Sequence, residues 1–166
     1  MIFVTVGTQI HFDRLVRAVD EWAGARERND VFAQIGPSSH QFGHIQTERF
    51  IDPLQFRKFV ETARLVIAHA GMGSIITALE LRKRIIVMPR RANLGEHRND
   101  HQIATAKQFV AQGRIEVALD ERELADKLDQ LDVRAQGECL GAEASPQLIL
   151  TIRNFIEAGH VRSANW

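Results

Sequence analysis

The 166-residue sequence has one cysteine, Cys139, in a stretch flanked by glycine and glutamate. A single cysteine excludes an internal disulfide framework and a cysteine-based zinc site, and it fits a reduced compartment. Net charge is also lacking, since 21 lysines and arginines balance 21 aspartates and glutamates. No overall field steers nucleic acid or an acidic membrane toward the chain, so any anion it takes must be gripped locally. The N-terminus has no basic leader, and no apolar run approaches the roughly 20 residues that cross a bilayer. The expectation is a soluble chain that reaches a membrane only through something else. Apolar side chains, by contrast, make up 45% of the residues, enough for one compact domain over 1–166.

The apolar runs are short. Residues 1–6 are rich in β-branched side chains and stop at Gly7, the pattern of a strand buried on both faces. Asp13 then precedes Leu15, Val16, Val19 and Trp22, whose spacing makes one apolar helix face with Asp13 as candidate N-cap. The alternation repeats. Strand-like runs cover 31–35, 65–68, 85–88 and 115–119, with a brief extended piece at 49–51. Between them, helical patterns start at Pro53, cover 75–81, run from Ile103 to a cap at Gly113, and follow Asp120. A loop over 134–145 leads to a terminal helix over 146–158. Short apolar strands alternating with helices predict an α/β fold, a Rossmann-like three-layer domain with a mostly parallel sheet.

Ligands in such sheets bind beyond the carboxyl ends of the strands. That rule selects four junctions, 7–13, 36–42, 69–74 and 89–102. Six of the seven histidines lie in or just past them, and only His160 is remote. In His69-Ala-Gly-Met-Gly-Ser74, Gly71 and Gly73 allow close approach of an anion to backbone, while Ser74 sits near a helix N-terminus. A tight strand-to-helix turn needing two glycines for steric reasons reads the same. The motif is neither Gly-x-Gly-x-x-Gly nor a Walker A loop, which disfavours ordinary dinucleotide and P-loop chemistry. Gly7-Thr8-Gln9 offers a flexible turn and a hydroxyl at the same edge. Glu96-His-Arg-Asn-Asp-His-Gln102 suits a polyhydroxylated ligand, or is a solvated loop capped by Asn99 or Asp100. His97 and His101 have i, i+4 spacing, but no glutamate follows His97, so zinc is not expected. Arg90-Arg91 either balances a diphosphate or faces solvent.

Four motifs in this order resemble the C-terminal, nucleotide-sugar-binding domain of the GT-B glycosyltransferases of the family 28 type. They are Phe3-Val-Thr-Val-Gly-Thr8 with Phe12-Asp-Arg-Leu15, His69-Ala-Gly-Met-Gly-Ser-Ile75, Ile86-Val-Met-Pro-Arg90, and Glu96 to Gln102. The pattern is most similar to the small stand-alone members. These are the exopolysaccharide subunits of the PssE kind and the catalytic subunit of the dolichol-pathway UDP-GlcNAc transferase.

The resemblance implies half of a GT-B fold and a hexosyltransferase that takes a UDP-sugar as substrate, with no cofactor. It places uracil and ribose around Gly36 and Pro89. It places the diphosphate at Gly73 and Ser74, beside His69, Gly71 and the Gly7-Thr8 turn, with Arg90 offsetting charge. His101 and Gln102 would face the sugar hydroxyls, and Glu96 and Asn99 of the same motif are further substrate-binding candidates. Relatives often carry a carboxylate for the ribose diol where this chain has Thr77, and Glu80 one turn on is the geometric substitute. Absence of an Asp-x-Asp motif fits metal-independent transfer. His11 is the candidate catalytic base within this chain, the alternative being a base on a partner.

That partner is implied because one Rossmann-like unit lacks the acceptor half. In similar two-subunit systems it is membrane-anchored and presents a lipid-diphosphate-linked acceptor, in exopolysaccharide or capsule assembly. The chain would then be cytoplasmic and peripheral at the inner membrane face. Leu148, Ile149, Ile152, Phe155 and Ile156 of the terminal helix would dock the partner or pack inside the domain. The alternatives are a non-catalytic UDP-sugar-binding or regulatory subunit, and a nucleotide-sugar epimerase-like protein, which the chain length disfavours.

Overall fold

A computed structural model describes residues 1–110 and 115–135, with side chains through Leu131. The elements are β1 (Ile2–Thr5), α1 (Asp13–Ala25), β2 (Val31–Gln34), β3 (Gln46–Glu48), α2 (Pro53–Thr62) and β4 (Leu65–His69). There follow α3 (Met72–Glu80), β5 (Ile85–Met88), a 3-10 turn (Ala92–Leu94), α4 (His101–Val110), β6 (Glu116–Val117) and α5 (Glu121–Ala135). The six strands lie in the order β3-β2-β1-β4-β5-β6, and every pair is parallel. This is the doubly wound order, and the topological switch point falls between β1 and β4.

Period-two alternation sorts the strand side chains into two cores. Ile2, Val4, Ile67, Ile86 and Met88 point toward α1 and α5, against Leu15, Val16, Val19, Trp22, Leu124 and Leu128. Phe3, Val66, Ala68, Ile85 and Val87 point the other way, against Val60, Ile75, Ala78, Ala106 and Phe109 of α2, α3 and α4. Phe59 stacks on Phe32 at 4.3 Å and on Phe3 at 5.4 Å, which ties α2 to the two adjacent strands. Both faces of the central strands are therefore dry, as their near-continuous apolar runs require.

Two sequence expectations change. The extended piece at 49–51 is displaced: β3 is Gln46–Glu48, an exposed edge strand in register with β2 through Phe32 and Gln46. Its apolar signal misled because Ile51 serves the cleft described below and not the sheet. Asp13 is not the N-cap of α1. That position is Phe12, without a side-chain bond, and Asp13 is the first helical residue with one carboxylate oxygen buried and unpartnered. Asp52, by contrast, caps α2 by accepting from the backbone N–H groups of Leu54 and Gln55, just ahead of Pro53. The Gly113 cap, the 134–145 loop beyond Ala135 and the helix expected over 146–158 lie outside the described residues.

Asp20, on α1, is 8% exposed. Its carboxylate accepts from the backbone N–H groups of Gly43, His44 and Ile45 at 3.1, 2.8 and 3.1 Å. One carboxylate thus satisfies three backbone amides and pins the segment feeding β3. Asp20→Ala is expected to lower stability by about 2–3 kcal/mol, measured by denaturant unfolding, with loss of exchange protection at 43–45.

Candidate functional site

A cleft of about 540 Å³ opens at the carboxyl ends of the strands, over the switch point. Its floor is Thr5, Val6 and Gln34, its apolar wall is Ile51, Pro53 and Phe56, and its third side is the start of α3. Gly71 is the N-cap of α3 and offers no side-chain bond, so the first amides of that helix are open to a ligand. A methyl group placed on Gly73 would meet nothing within 4 Å, which leaves room for an anion in front of those amides. Ser74 lines the same side.

The other glycines of this region serve a side chain. A Cβ on Gly71 would fall 2.1 Å from Nε2 of His69, and one on Gly7 would fall 3.0 Å from Cε1 of the same ring. Gly7 also has φ +77°, which favours glycine independently. The His69 ring therefore fills the space that two missing side chains leave. Its Nδ1 is buried without a partner. Burial, reinforced by the nearby Arg90 cation, pushes its pKa down to about 4. His69 is a neutral imidazole at physiological pH.

Arg90 lines the cleft, yet it is 2% exposed. Its guanidinium donates to the carbonyls of Val6 at 2.8 Å, Ile10 at 2.6 Å and His11 at 2.6 Å, and lies 4.8 Å over the Phe12 ring. Burial lowers its pKa to about 10, opposed by Glu96, so the charge persists. Of the two roles the sequence left open for Arg90, facing solvent is excluded; its fork is engaged with backbone carbonyls, so any diphosphate charge it offsets is offset through its field.

The 89–102 loop is engaged with backbone in the same way. Glu96 accepts from Arg14 at 2.6 and 2.8 Å and from the Arg91 N–H at 2.9 Å. Asp100 accepts from the Ala92 N–H, and Gln102 Oε1 from the Arg90 N–H at 3.1 Å. The polar density read as sugar-binding capacity thus satisfies the loop's own amides. Gln102 still lines the cleft, as does His97, which the sequence reading did not select. Asn99 and His101 bond each other and do not line it.

Of the remaining candidates, Gly7, Thr8, His69, Gly71, Gly73, Ser74 and Thr77 line the cleft together. Thr77 spends its hydroxyl on the Gly73 carbonyl at 2.9 Å. Glu80 is exposed and paired with Arg57, away from the cleft. Gly36 does not line it either; its missing side chain lets the Gly7 carbonyl come close, 2.9 Å from where a Cβ would stand. His11 has a side chain 61% exposed, held 3.3 Å from Asp13, because its carbonyl turns inward to Arg90 while its ring turns out. No aspartate or glutamate lines the cleft among the described residues. The apolar wall and the Thr5 and Gln34 floor were not found from sequence; Pro53 and Phe56 gave only a helix signal.

A doubly wound parallel sheet with an open helix N-terminus at its switch point, beside a cleft lined by no carboxylate among the described residues, defines a Rossmann-like α/β domain. The chain belongs to the glycosyltransferase family 28 C-terminal domain, whose sequence profile matches residues 1–145. It is 31% identical over 126 residues to the human UDP-N-acetylglucosamine transferase subunit ALG13, covering 69% of this chain. The match spans only about 10% of that relative's length. In fold, it is similar to the solution structure of ALG13, with TM-score 0.57 and 21% identity over 87% of this chain and 89% of that one. MurG of Acinetobacter baumannii is also similar, with TM-score 0.56 and 18% identity over 81% of this chain and 41% of that one. Such structures are GT-B glycosyltransferases, and the three-layer parallel α/β unit corresponds to one half of that fold.

Two outcomes follow from the buried polar groups. Arg90→Met leaves three carbonyls without their donor and is expected to cost about 3 kcal/mol or more in denaturant unfolding; Arg90→Lys does not restore it, because an ammonium lacks the planar fork. For His69 the folded pKa lies below the ordinary 6.5, so protons bind the unfolded chain preferentially. Stability is then lost as pH falls from 6.5 toward 4. Relative to His69→Gln, the loss over that window is expected to be about 3 kcal/mol, measured by unfolding at each pH.

Proposed function

We propose that this chain is the donor-binding half of a glycosyltransferase, holding a UDP-sugar. The observation that carries the reading is the open amino end of α3, with Gly73 leaving space in front of it, in a cleft without carboxylates. A diphosphate seated there meets the helix dipole and free amides and meets no opposing side-chain charge. The base of the nucleotide lies against Ile51, Pro53 and Phe56, and the donor sugar faces Gln9, His97 and Gln102.

Transfer requires charge to develop on the leaving diphosphate, and preorganised amides stabilise it without reorganisation. A divalent ion prefers oxygen ligands, which this cleft does not supply as carboxylates. Metal-independent transfer is therefore part of the proposal. The base that deprotonates the acceptor is assigned to a partner, since His11 stands outside the cleft and His69 is wedged and buried. The partner is a membrane-anchored subunit presenting a lipid-diphosphate-linked sugar, in exopolysaccharide or capsule assembly. Among the described residues no helix is long and apolar enough to cross a membrane. The name of the human relative, a transferase subunit, supports a divided enzyme. The lack of a cleft carboxylate also favours a second reading, a purely UDP-sugar-binding subunit. Turnover by the assembled complex, abolished by loss of donor binding here, separates the two.

Thermal unfolding with nucleotides tests the donor site. UDP at a hundred times its Kd is expected to stabilise the chain by about 2.7 kcal/mol. Gly73→Ala is expected to fold as well or better, by roughly 0.5–1 kcal/mol, because alanine suits a helix. Its methyl group would occupy the anion seat and reduce the UDP shift. Stabilisation by NAD or ATP alone would sink the proposal.

A further inference from the structure

We infer that Gln34 is a specificity-determining residue of this site, its side-chain amide donating to a ribose hydroxyl of the bound nucleotide; this rests on the UDP-sugar reading above. Gln34 closes β2, is 2% exposed and lines the cleft floor. Burying an amide is unfavourable unless both its ends are satisfied. The oxygen end is satisfied by protein: the Thr5 hydroxyl donates to Oε1 at 2.7 Å, and that hydroxyl accepts from the Gly7 N–H at 3.3 Å. In this chain of three polar groups the amide turns its oxygen to Thr5. With Oε1 turned to Thr5, Nε2 is the end left for the cleft.

The sheet order locates this donor along a nucleotide. β2 and β1 lie between β3, whose following segment carries Ile51 and Pro53, and β4, which leads into α3. Neighbouring strands are about 4.8 Å apart, so the floor from apolar wall to helix spans three spacings, roughly 14 Å. A nucleoside diphosphate with its base on the wall and its phosphates at α3 places its ribose over the middle of that floor. Gln34 is a buried polar group at that place, and the Thr5 hydroxyl beside it is committed to Gln34. The two candidates drawn from the resemblance do not serve: the Thr77 hydroxyl is committed to the Gly73 carbonyl, and Glu80 is paired with Arg57 outside the cleft. A primary amide N–H donates to a hydroxyl oxygen and distinguishes ribose from deoxyribose by that bond.

Calorimetric titration of the purified chain with UDP, 2′-deoxy-UDP and 3′-deoxy-UDP tests the assignment. The wild type is expected to bind at least one deoxy analogue about tenfold more weakly than UDP. Gln34→Leu is expected to weaken UDP by a similar factor and to bind UDP and that analogue equally. Thr5→Val releases the amide to turn and is expected to reduce the discrimination, whereas Thr5→Ser retains it. If Gln34→Leu does not fold, Gln34→Asn, with the amide one methylene short, carries the same expectation. Preserved discrimination in the Gln34 variant, or its absence in the wild type, overturns the assignment while UDP binding stands. Failure of the wild type to bind UDP overturns the nucleotide reading itself.

Discussion

The guanidinium of Arg90 is the point on which this site is built. A parallel sheet whose first strand lies in the middle must send the chain from that strand's end back over one face. The turn leaves the carbonyls of Val6, Ile10 and His11 facing inward. No strand is available to accept them there, so one planar cation with several donors is the compact solution. It reaches them from the end of β5, across β4, and so fastens the two sides of the switch point to each other. The cleft is the space left above that fastening.

The acidic residues around it are arranged to leave its field intact. Glu96 is turned to Arg14 and to backbone amides, Asp100 to another amide, and Asp13 to the flank of α1. What faces the cleft is a buried cation and a helix N-terminus, with the uncharged ring of His69 beside them. The same cation disfavours protonation of His69, whose ring is an uncharged packing element between Gly7 and Gly71. Local electrostatics thus replace the overall field that the balanced composition denies.

Much of this architecture was legible in the sequence because the central strands are apolar on both faces and end at Gly7, Gly36, His69 and Pro89. Those features identify a parallel sheet and aim attention at its carboxyl edge. β3 was misplaced because an exposed edge strand needs no apolar residues, and Ile51 mimicked one. Within the glycine motif the spacing identified a close approach but not what approaches: His69 does at Gly71, and an anion has room at Gly73. Glu96 and Arg90 looked like ligand groups because sequence cannot show that a loop consumes its own donors and acceptors. Gln34 escaped notice for a related reason. A lone glutamine at a strand end carries no motif, and only the Thr5 hydroxyl beside it gives it direction.

The strand order has a kinetic side as well. β1 is made before both of its neighbours, yet it pairs with β2 and, on its other edge, with β4. Ile2 must find Val31 and Leu65, so the closure of the sheet's centre waits for loops of about 30 and 60 residues. Such non-local pairing slows folding, and until β4 emerges during synthesis the apolar first strand has one open edge. The cleft inherits this timing, because its two halves become neighbours only when that late pairing is complete.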